Sequence, residues 1–336
     1  MKFGIFIPQG WRFDLVGIDP ARHWGVMHDL AQAAEAGPWE SLWVYDHFHT
    51  TPVPSEEATH EAWTLMAAFA ASTSRIRLGQ MCTCIAYRNP AYLAKVASTV
   101  DLISNGRLEM GIGAGWYEHE WRAYGYGFPD APARLRALRE GVEVMHQAWT
   151  TGKASLDGEF WQIDGAIVEP RPLQEGGIPI WVAGGGEKVT LKIAAQYASY
   201  TNFNGGAEEF ARKSEILRGH CETLGTDFES ITRSSNFSTI IGETEADVRR
   251  KVESYEERLA RYIGAEKAAA VVEQYHGTGS KEGLAGTPEQ IVEVLRERNE
   301  LGLGYSIHYF PDSAYDRSGV ELFEKQVIPA LASAPR

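Results

Sequence analysis

The sequence predicts an α/β protein with the (β/α)8 fold, the TIM barrel. Short apolar runs alternate with amphipathic stretches along all 336 residues, and eight strands alternating with helices fit a closed barrel better than a doubly wound sheet. Two of the apolar runs end in glycine clusters, at residues 111–115 and 184–186. Glycines at strand ends let a ligand approach the backbone closely, so the clusters suggest a phosphate-bearing cofactor.

The individual elements follow from composition and periodicity. Strands are predicted where β-branched or aromatic residues are bounded by Gly, Pro, Asn or Asp, at residues 3–8, 41–45, 76–84, 107–113, 180–183, 200–204, 231–241 and 305–310. Helical periodicity predicts helices at 23–36, 62–72, 90–104, 133–150, 188–196, 207–224, 245–264, 288–302 and 320–331. Thr287, Pro288 and Gln290 form a typical helix start, with Thr at the cap and Pro at the first helical position.

The chain is longer than the roughly 250 residues of a typical barrel. The surplus falls into three predicted insertions: about 116–131 after strand four, a hairpin-like segment at 153–172, and 265–286 before the last helix. Because no linker of low complexity interrupts the sequence, we expect residues 1–336 to form a single domain.

Charge and cysteine content narrow the function. The formal net charge is −13 and the pI is near 5.3, which argues against nucleic acid or an anionic membrane as a partner. Three cysteines cannot form a disulfide framework, so a reducing cytoplasm is expected. We find no leader before the first strand and no apolar run approaching the roughly 18 residues of a membrane span. The composition is ordinary for a soluble globular enzyme.

The two glycine clusters allow different interpretations. Residues 111–115 are compatible with tight strand packing or with contact to a cofactor, but not with the dinucleotide fingerprint, because GxGxxG needs glycine where Trp116 stands. Gly184, Gly185 and Gly186 follow a strand and lead into a helical stretch, so backbone N–H groups at a helix N-terminus could bind a phosphate. A plain βα turn usually needs only one glycine.

Polar side chains end strands two and three. Asp46 and His47 are adjacent, so one can enter the barrel mouth while the other braces the loop. The histidine could transfer a proton near neutral pH, or it could simply be hydrogen-bonded within the loop. Cys82 and Cys84 lack an obvious activating base, which favours buried thiols over nucleophiles. Residues 118–120 lack the second histidine of an HExxH motif, so no metal site is predicted.

These segments, in this order, resemble the bacterial-luciferase-like superfamily of flavin and deazaflavin oxidoreductases. The matching segments span nearly the whole chain: residues 3–6, 41–47, 88–90, 111–116 with Glu120, 127–129, 179–186 and 286–290. The pattern is most similar to the branch assigned to coenzyme F420, a deazaflavin. The resemblance implies F420 as the cofactor, with FMN as the alternative, and a homodimer as the assembly.

The resemblance also implies roles for single residues. The cofactor ring would lie against a bulge on strand three, with a non-proline cis peptide at Met81–Cys82 or at the next bond. Asp46, Cys84, Ala114 and Gly115 would line the ring and its side chain, and Gly184, Gly185, Gly186 and Glu187 would hold the phosphate. His47 corresponds to the active-site histidine of the family.

Two departures from the family narrow the expected substrate. Sugar-6-phosphate dehydrogenases of the family have glutamate where this chain has Trp116, and tryptophan where it has Thr51. We therefore expect hydride transfer between F420 and a carbonyl, an alcohol or an activated alkene. His47 would transfer the proton, and Asp46 would fix the loop and contact the cofactor. The alternatives are an FMN-dependent monooxygenase with a separate reductase, and a flavin-binding barrel without catalysis.

Overall fold

The computed structural model describes residues 1–275 and 283–332 and confirms the predicted (β/α)8 barrel. Its eight barrel strands are β1 (Lys2–Phe6), β2 (Ser41–Val44), β3 (Arg77–Gln80), β4 (Leu108–Gly113), β5 (Ile180–Ala183), β6 (Tyr200–Asn202), β7 (Thr232–Ile241) and β8 (Leu303–Tyr309). Neighbours in the chain are neighbours in the sheet, and every pairing between them is parallel. The barrel closes because β6 pairs with β7, β7 with β8, and β8 with β1.

Helices surround the strands at nearly the predicted positions. They are α1 (Pro20–Ala36), α2 (Ala62–Ser72), α3 (Pro90–Ile103), α4 (Glu118–Ala123), α5 (Ala131–Thr151), α6 (Thr190–Tyr197), α7 (Ala207–Leu224), α8 (Glu245–Ile263), α9 (Ala265–Val272), α10 (Pro288–Glu300), α11 (Ser318–Leu322) and α12 (Ile328–Leu331). The predicted cap of α10 is present, since the Thr287 N–H donates to the Gln290 side chain at 2.9 Å. Among the described helices, none has the length and apolarity needed to cross a membrane.

The three surplus segments contain structure of their own. Segment 116–131 includes α4, and segment 153–172 is an antiparallel hairpin of Lys153–Asp157 and Gln162–Ile167. Segment 265–286 includes α9 and a strand, Gly283–Gly286, that pairs with β7 outside the closed barrel; its residues 276–282 lie outside the described residues. That strand was not predicted, because Gly-Leu-Ala-Gly has no β-branched or aromatic side chain to indicate it.

Aromatic side chains fill the interior of the barrel. Trp43 and Trp181 are fully buried and meet edge to face at 4.7 Å, and Trp181 stacks on Tyr200 at 3.9 Å. Gly79 makes room for this cluster, because a Cβ there would lie 2.2 Å from the Trp43 ring. Burying each large ring contributes about 2–3 kcal/mol. A filled interior leaves the barrel mouth, at the carboxyl ends of the strands, as the place for a ligand.

The third predicted strand, residues 76–84, is interrupted. After β3 ends at Gln80, the Met81–Cys82 peptide is cis, which confirms the implied non-proline cis bond, and Thr83–Cys84 then pairs with β4. The glycines of β4 permit this bulge. A Cβ at Gly111 would lie 1.8 Å from the Gln80 carbonyl oxygen, and one at Gly113 would lie 2.7 Å from the Cys82 sulfur. The packing interpretation therefore holds for these two glycines.

Candidate active site

A cavity of about 260 Å³ opens at the carboxyl ends of β2, β3 and β4. It is lined by Trp11, Arg12, Tyr45, Asp46, His47, Met81, Cys82, Cys84, Tyr87, Gly115, Trp116, Asn204 and Asn236. We call it the mouth cavity. The fold therefore brings together six of the predicted site residues: Asp46, His47, Met81, Cys82, Cys84 and Gly115. Ala114, Gly184, Gly185, Gly186 and Glu187 are not among the residues that line it.

A second cavity, of about 420 Å³, adjoins the first and shares Trp11, Arg12 and Trp116 with it. We call it the outer cavity. Its other lining residues are Thr51, Pro52, Tyr255, Leu259, Ala270, Val271 and Gln274, contributed by the loop after β2 and by helices α8 and α9 with the turn that follows. The two cavities together offer room for a flat cofactor and a second molecule beside it.

His47 is held in one orientation at the mouth cavity. Its Nδ1 lies 2.9 Å from Oε2 of Glu120, and its ring stacks on Trp11 with centroids 4.1 Å apart and planes 3° from parallel. Trp116 also contacts the imidazole in an edge-to-face arrangement, with centroids 5.8 Å apart. Because Glu120 engages Nδ1, the imidazole presents Nε2 as the nitrogen available for exchanging a proton.

Glu120 is a buried carboxylate with a complete set of donors. One oxygen accepts from the N–H groups of Phe48 and His49 at 2.7 and 2.8 Å, and the other accepts from His47 and from the Tyr87 hydroxyl at 3.1 Å. Burial alone would raise the pKa of Glu120. The hydrogen bond and charge of His47, together with the two backbone N–H groups, outweigh burial, so the pKa of this carboxyl is lowered. Glu120 therefore stays ionised and fixes both the histidine and its loop.

Asp46 is engaged in a bidentate ion pair with Arg88. The two guanidinium nitrogens lie 2.7 and 2.9 Å from the two carboxylate oxygens, and the Cys84 N–H also donates to Oδ2 at 2.9 Å. The Arg88 guanidinium also donates a hydrogen bond to a carboxylate oxygen of Glu61 at 2.8 Å. Asp46 thus ties the end of β2 to the bulge after β3, which gives it a positioning role at the mouth cavity.

The two cysteines of the bulge carry free thiols. Burial, and secondly the negative charge of Asp46, raises the pKa of Cys82 to about 12, and the same two causes raise the pKa of Cys84 well above its ordinary value. A thiol that stays protonated is a poor nucleophile. Cys84 is buried and Cys82 partly buried, and the interpretation of both as thiols of the cavity wall rather than nucleophiles stays a prediction.

The second glycine cluster lies beside a lysine rather than at the first turn of a helix. A turn at residues 187–189 separates Gly186 from α6, so the helix begins two residues later than predicted. Gly184 has a φ of +114°, and a Cβ at Gly185 would lie 2.5 Å from Nζ of Lys213. Nζ of Lys213 forms an ion pair with Oε1 of Glu209 at 2.7 Å and donates a hydrogen bond to the Asn204 carbonyl oxygen at 3.2 Å. Bare backbone with an ammonium group beside it suits a phosphate.

The residues present fit a flavin-like ring. The mouth cavity combines aromatic walls with the amide side chains of Asn204 and Asn236, and the buried Nε1 of Trp11 has no hydrogen-bond partner within residues 1–275 and 283–332. A ring edged with carbonyl oxygens and ring nitrogens would supply the missing acceptor. No group of three or more His, Cys, Asp or Glu side chains in the described part of the chain could hold a metal ion.

Sequence reasoning did not identify three functional side chains, Trp11, Arg12 and Glu120, as members of the site. Glu120 appeared only within a matching segment, because nothing in its spacing indicates that α4 folds back on the loop after β2. Trp11 and Arg12 follow β1 in a loop without a motif. An aromatic and a basic residue directly after a barrel strand were the available signal, since barrel sites are built from these loops.

A histidine braced by a carboxylate, in a cavity at the carboxyl ends of eight parallel strands, is the arrangement of a TIM-barrel enzyme. The chain belongs to the luciferase-like monooxygenase family, whose sequence profile matches residues 1–304.

Among curated proteins, the chain is 32% identical over 329 residues to the F420-dependent glucose-6-phosphate dehydrogenase of Amycolatopsis mediterranei, covering 90% of this chain and 93% of that protein. It is 33% identical over 220 residues to the pyrimidine monooxygenase RutA of Rhizobium rhizogenes, covering 62% of this chain but only 58% of RutA. The family thus includes both F420-dependent dehydrogenases and monooxygenases.

Solved structures share the fold. An F420-dependent secondary alcohol dehydrogenase in complex with an F420-acetone adduct superposes with a TM-score of 0.78 at 20% identity, covering 99% of both chains. Monooxygenase RslO1 from Streptomyces bottropensis also gives a TM-score of 0.78, at 21% identity, covering 99% of this chain and all of that one. At these identities the likeness is one of fold.

Proposed function

We propose that the protein is an F420-dependent oxidoreductase that transfers a hydride between the deazaflavin and a small carbonyl, alcohol or activated alkene. The observation that carries the proposal is the His47–Glu120 pair at the mouth cavity, next to the cis Met81–Cys82 bulge. The pair provides a proton donor and acceptor, and the protonated thiols provide no competing nucleophile. When bound, the deazaflavin supplies the hydride chemistry, and the protein supplies orientation and electrostatics.

The cofactor would be held by residues at two places. Met81, Cys82 and Cys84 would form the surface against the ring, with Gly115 beside it and Asp46 fixing the bulge behind it. Gly184, Gly185 and Gly186 would hold the phosphate, with Lys213 as the nearby positive charge. Ala114 and Glu187 remain predicted contacts; the Glu187 side chain is paired with Arg212.

His47 would transfer the proton that accompanies the hydride. Glu120 accepts a hydrogen bond from Nδ1, which leaves Nε2 to donate a proton to a carbonyl oxygen or to take one from an alcohol. Stacking on Trp11 and the edge contact with Trp116 keep the imidazole plane fixed. A proton donor held in one orientation accelerates the reaction more than a mobile one, because its orientation is already established before the reaction begins.

We propose F420 rather than FMN because the match to an F420-dependent dehydrogenase extends over 90% of this chain at 32% identity. The match to RutA supports the second candidate, an FMN-dependent monooxygenase that needs a separate reductase. A barrel that binds flavin without catalysis is the least favoured alternative, because it would not need the buried Glu120 carboxylate that orients His47.

Glucose 6-phosphate is not the substrate we propose. Trp116 and Thr51, which replace a glutamate and a tryptophan expected in sugar-6-phosphate dehydrogenases, both line the outer cavity. The indole of Trp116 is 59% exposed and stacks on Tyr117. It gives this cavity an apolar wall instead of an acid that could accept hydrogen bonds from sugar hydroxyls.

Two reactions measured in parallel test the proposal. In the first, the protein and reduced F420 are mixed without oxygen with a panel of ketones, aldehydes and enones, and the appearance of oxidised F420 is followed. In the second, oxygen uptake is measured with reduced FMN and the same compounds. Substrate-dependent oxidation of F420 supports the proposal. Oxygen uptake above the spontaneous oxidation of free reduced FMN, seen only with both the protein and a substrate, together with no reaction of F420, would establish the monooxygenase.

The proposal includes a homodimer in the cytoplasm, as the family resemblance and the cysteine content lead us to expect. Light scattering during gel filtration measures the assembly directly. A mass of about twice the chain's 37.2 kDa is the expected result, and the mass of a single chain would contradict it.

A further inference from the structure

We propose that Arg12 is an anion-binding residue of the substrate site, so that the substrate carries a carboxylate group near its reacting carbon. The reaction of such a substrate rests on the proposed function, but the binding of the anion does not. The inference narrows the substrate class from carbonyls, alcohols and alkenes in general to those that are also small carboxylates.

Arg12 lies where the two cavities meet. It lines both the mouth cavity, with His47 and the bulge, and the outer cavity, with Trp116 and the loop at Thr51. A ligand that extends from the cofactor region towards the outer cavity must therefore pass the guanidinium group.

Aromatic rings hold this guanidinium, and no acid among residues 1–275 and 283–332 forms an ion pair with it. Its central carbon lies 4.9, 5.0 and 5.4 Å from the ring centroids of Trp11, Tyr309 and Tyr45. Within residues 1–275 and 283–332 the side chain of Arg12 makes no hydrogen bond or ion pair, and its Nε is buried without a partner. Guanidinium carries five N–H donors in a planar fork that matches a carboxylate, so a carboxylate ligand fits this arrangement.

The charges that face Arg12 leave its donors unused. The positive charge of Arg12 favours the ionised form of the Asp14 carboxyl group. However, Oδ1 of Asp14 accepts a hydrogen bond from the Gly10 N–H at 2.6 Å. Burial also raises the pKa of Asp14, which weakens it as a counter-ion. The guanidinium packs on the rings of Tyr45 and Tyr309, and Tyr255 and Tyr275 are also close enough to interact with its charge. Arg258, which packs over Tyr255, is paired with Asp312 at 2.8 Å.

Arg12 and His47 lie against the same indole. The His47 ring stacks on Trp11 at 4.1 Å, and the Arg12 guanidinium packs over Trp11 at 4.9 Å. Both residues also line the mouth cavity, so a carboxylate bound by Arg12 would place the rest of a small substrate in the cavity that holds the imidazole. For a carbonyl substrate and reduced F420, the C=O π bond breaks as the hydride adds to carbon and the His47 proton adds to oxygen. The products are the alcohol and oxidised F420, and the carboxylate is unchanged.

The test uses benzoate and its uncharged analogue benzamide as probes of the protein without cofactor. Tryptophan fluorescence reports binding, because Trp11 and Trp116 line the site, and calorimetry checks the affinities. We expect benzoate to bind at least about 10-fold more tightly than benzamide, as a charge-assisted hydrogen bond of roughly 1.5–3 kcal/mol implies. Equal affinities would overturn the proposal.

Substitutions test whether Arg12, rather than another surface arginine, binds benzoate. R12M should lower benzoate affinity at least about 10-fold and leave benzamide nearly unchanged, whereas R12K should restore part of the difference. The matched control R139M removes an arginine that is distant in sequence, on α5, and should change neither affinity. Unchanged benzoate binding by R12M, with folding confirmed by circular dichroism, would contradict the proposal. Should R12M not fold, R12K should still bind benzoate less tightly than wild type, because lysine lacks the planar fork, and wild-type affinities of R12K for both probes would contradict the proposal.

A final experiment tests whether Arg12 binds an anionic group of the substrate or one of the cofactor. Benzoate is titrated again into protein saturated with F420, whose own binding is measured separately. Retained benzoate affinity places the anion beside the cofactor, as proposed. Mutual exclusion would mean that Arg12 binds the cofactor and would overturn the inference. Failure of F420 to bind would contradict the proposed function but would leave the benzoate result intact.

Discussion

Two histidines of this barrel show how surroundings decide what an imidazole can do. His47, at the mouth, has 12% of its side chain exposed and lies 2.9 Å from a buried carboxylate. His308, on β8, is fully buried, with Nδ1 2.9 Å from the Thr239 hydroxyl and Nε2 2.9 Å from the Ser306 hydroxyl. Burial lowers the pKa of His308 to about 3, so this ring is neutral and both its nitrogens are occupied.

The difference lies in the partner and in access to a cavity. Hydroxyl groups can accept from or donate to a neutral imidazole, and they add no charge that would stabilise a proton on it. A carboxylate at Nδ1 fixes the orientation of the ring and leaves Nε2 towards the cavity. Of the two, only His47 lines the mouth cavity. The difference supports His47 as the residue of the proposed proton transfer and favours a structural role for His308.

The largest expected effect is that of His47→Ala on turnover. Removing a general acid should lower kcat by roughly 10²–10⁴-fold, while the dissociation constant of F420 changes little, since the phosphate and ring contacts remain. Steady-state kinetics with a substrate found in the anaerobic panel measures this. His49→Ala is the matched control, because His49 contacts His119 instead of the cavity. Wild-type turnover by His47→Ala would remove the histidine from the mechanism.

The lowered pKa of His308 also predicts that the folded state loses stability in acid. Since the pKa of His308 is lowered on folding, the unfolded chain takes up the proton first as the pH falls. The stabilising contribution of neutral His308 is complete above about pH 6.5 and is lost as the pH falls towards 3, by up to about 1.4 kcal/mol per pH unit. The free energy of unfolding, measured with urea between pH 8 and pH 4, should therefore depend less steeply on pH for His308→Gln than for wild type.

The control for the core histidine is His146→Gln, which changes an exposed histidine of α5. This variant should follow the wild-type pH dependence. A His308→Gln protein that loses stability in acid as steeply as the wild type would show that other groups cause the loss.

A smaller effect is expected for Glu120→Gln. The amide keeps the shape of the side chain and can still accept from the N–H groups of Phe48 and His49, but it no longer holds a negative charge beside His47. We expect kcat to fall at least about 10-fold with KM nearly constant, together with a shifted pH–rate profile. Glu118→Gln, two residues away and paired with Arg122 on the surface, is the control. An unchanged profile would reduce Glu120 to a structural brace of the loop.

The smallest effect is expected for Cys82→Ser. The raised pKa keeps this thiol protonated, so no step depends on it as a nucleophile. Turnover should stay within about threefold of wild type, and iodoacetamide should modify the thiol slowly at pH 7. Loss of activity beyond about 100-fold, with F420 still bound, would require a chemical role for the sulfur.

The sequence predicted the barrel well because its information is local: alternating apolar and amphipathic runs specify strands and helices, and strand ends specify the mouth. Residues whose role depends on distant contacts were harder to predict. Glu120 reaches the loop after β2 only because α4 folds back over it. The glycines of β4 proved to accommodate the bulge after Gln80, a contact between neighbouring strands that no motif encodes.

The barrel mouth is proposed to be a deazaflavin site, and a titration with two cofactors tests this assignment. The protein is titrated with F420 and separately with FMN, with cofactor fluorescence as the signal and Gly185→Ala, which would place a Cβ against Lys213, as the variant. We predict saturable F420 binding at least about 10-fold tighter than FMN binding, or about 1.4 kcal/mol, weakened by the substitution. Tight binding of FMN with none of F420 would contradict the claim.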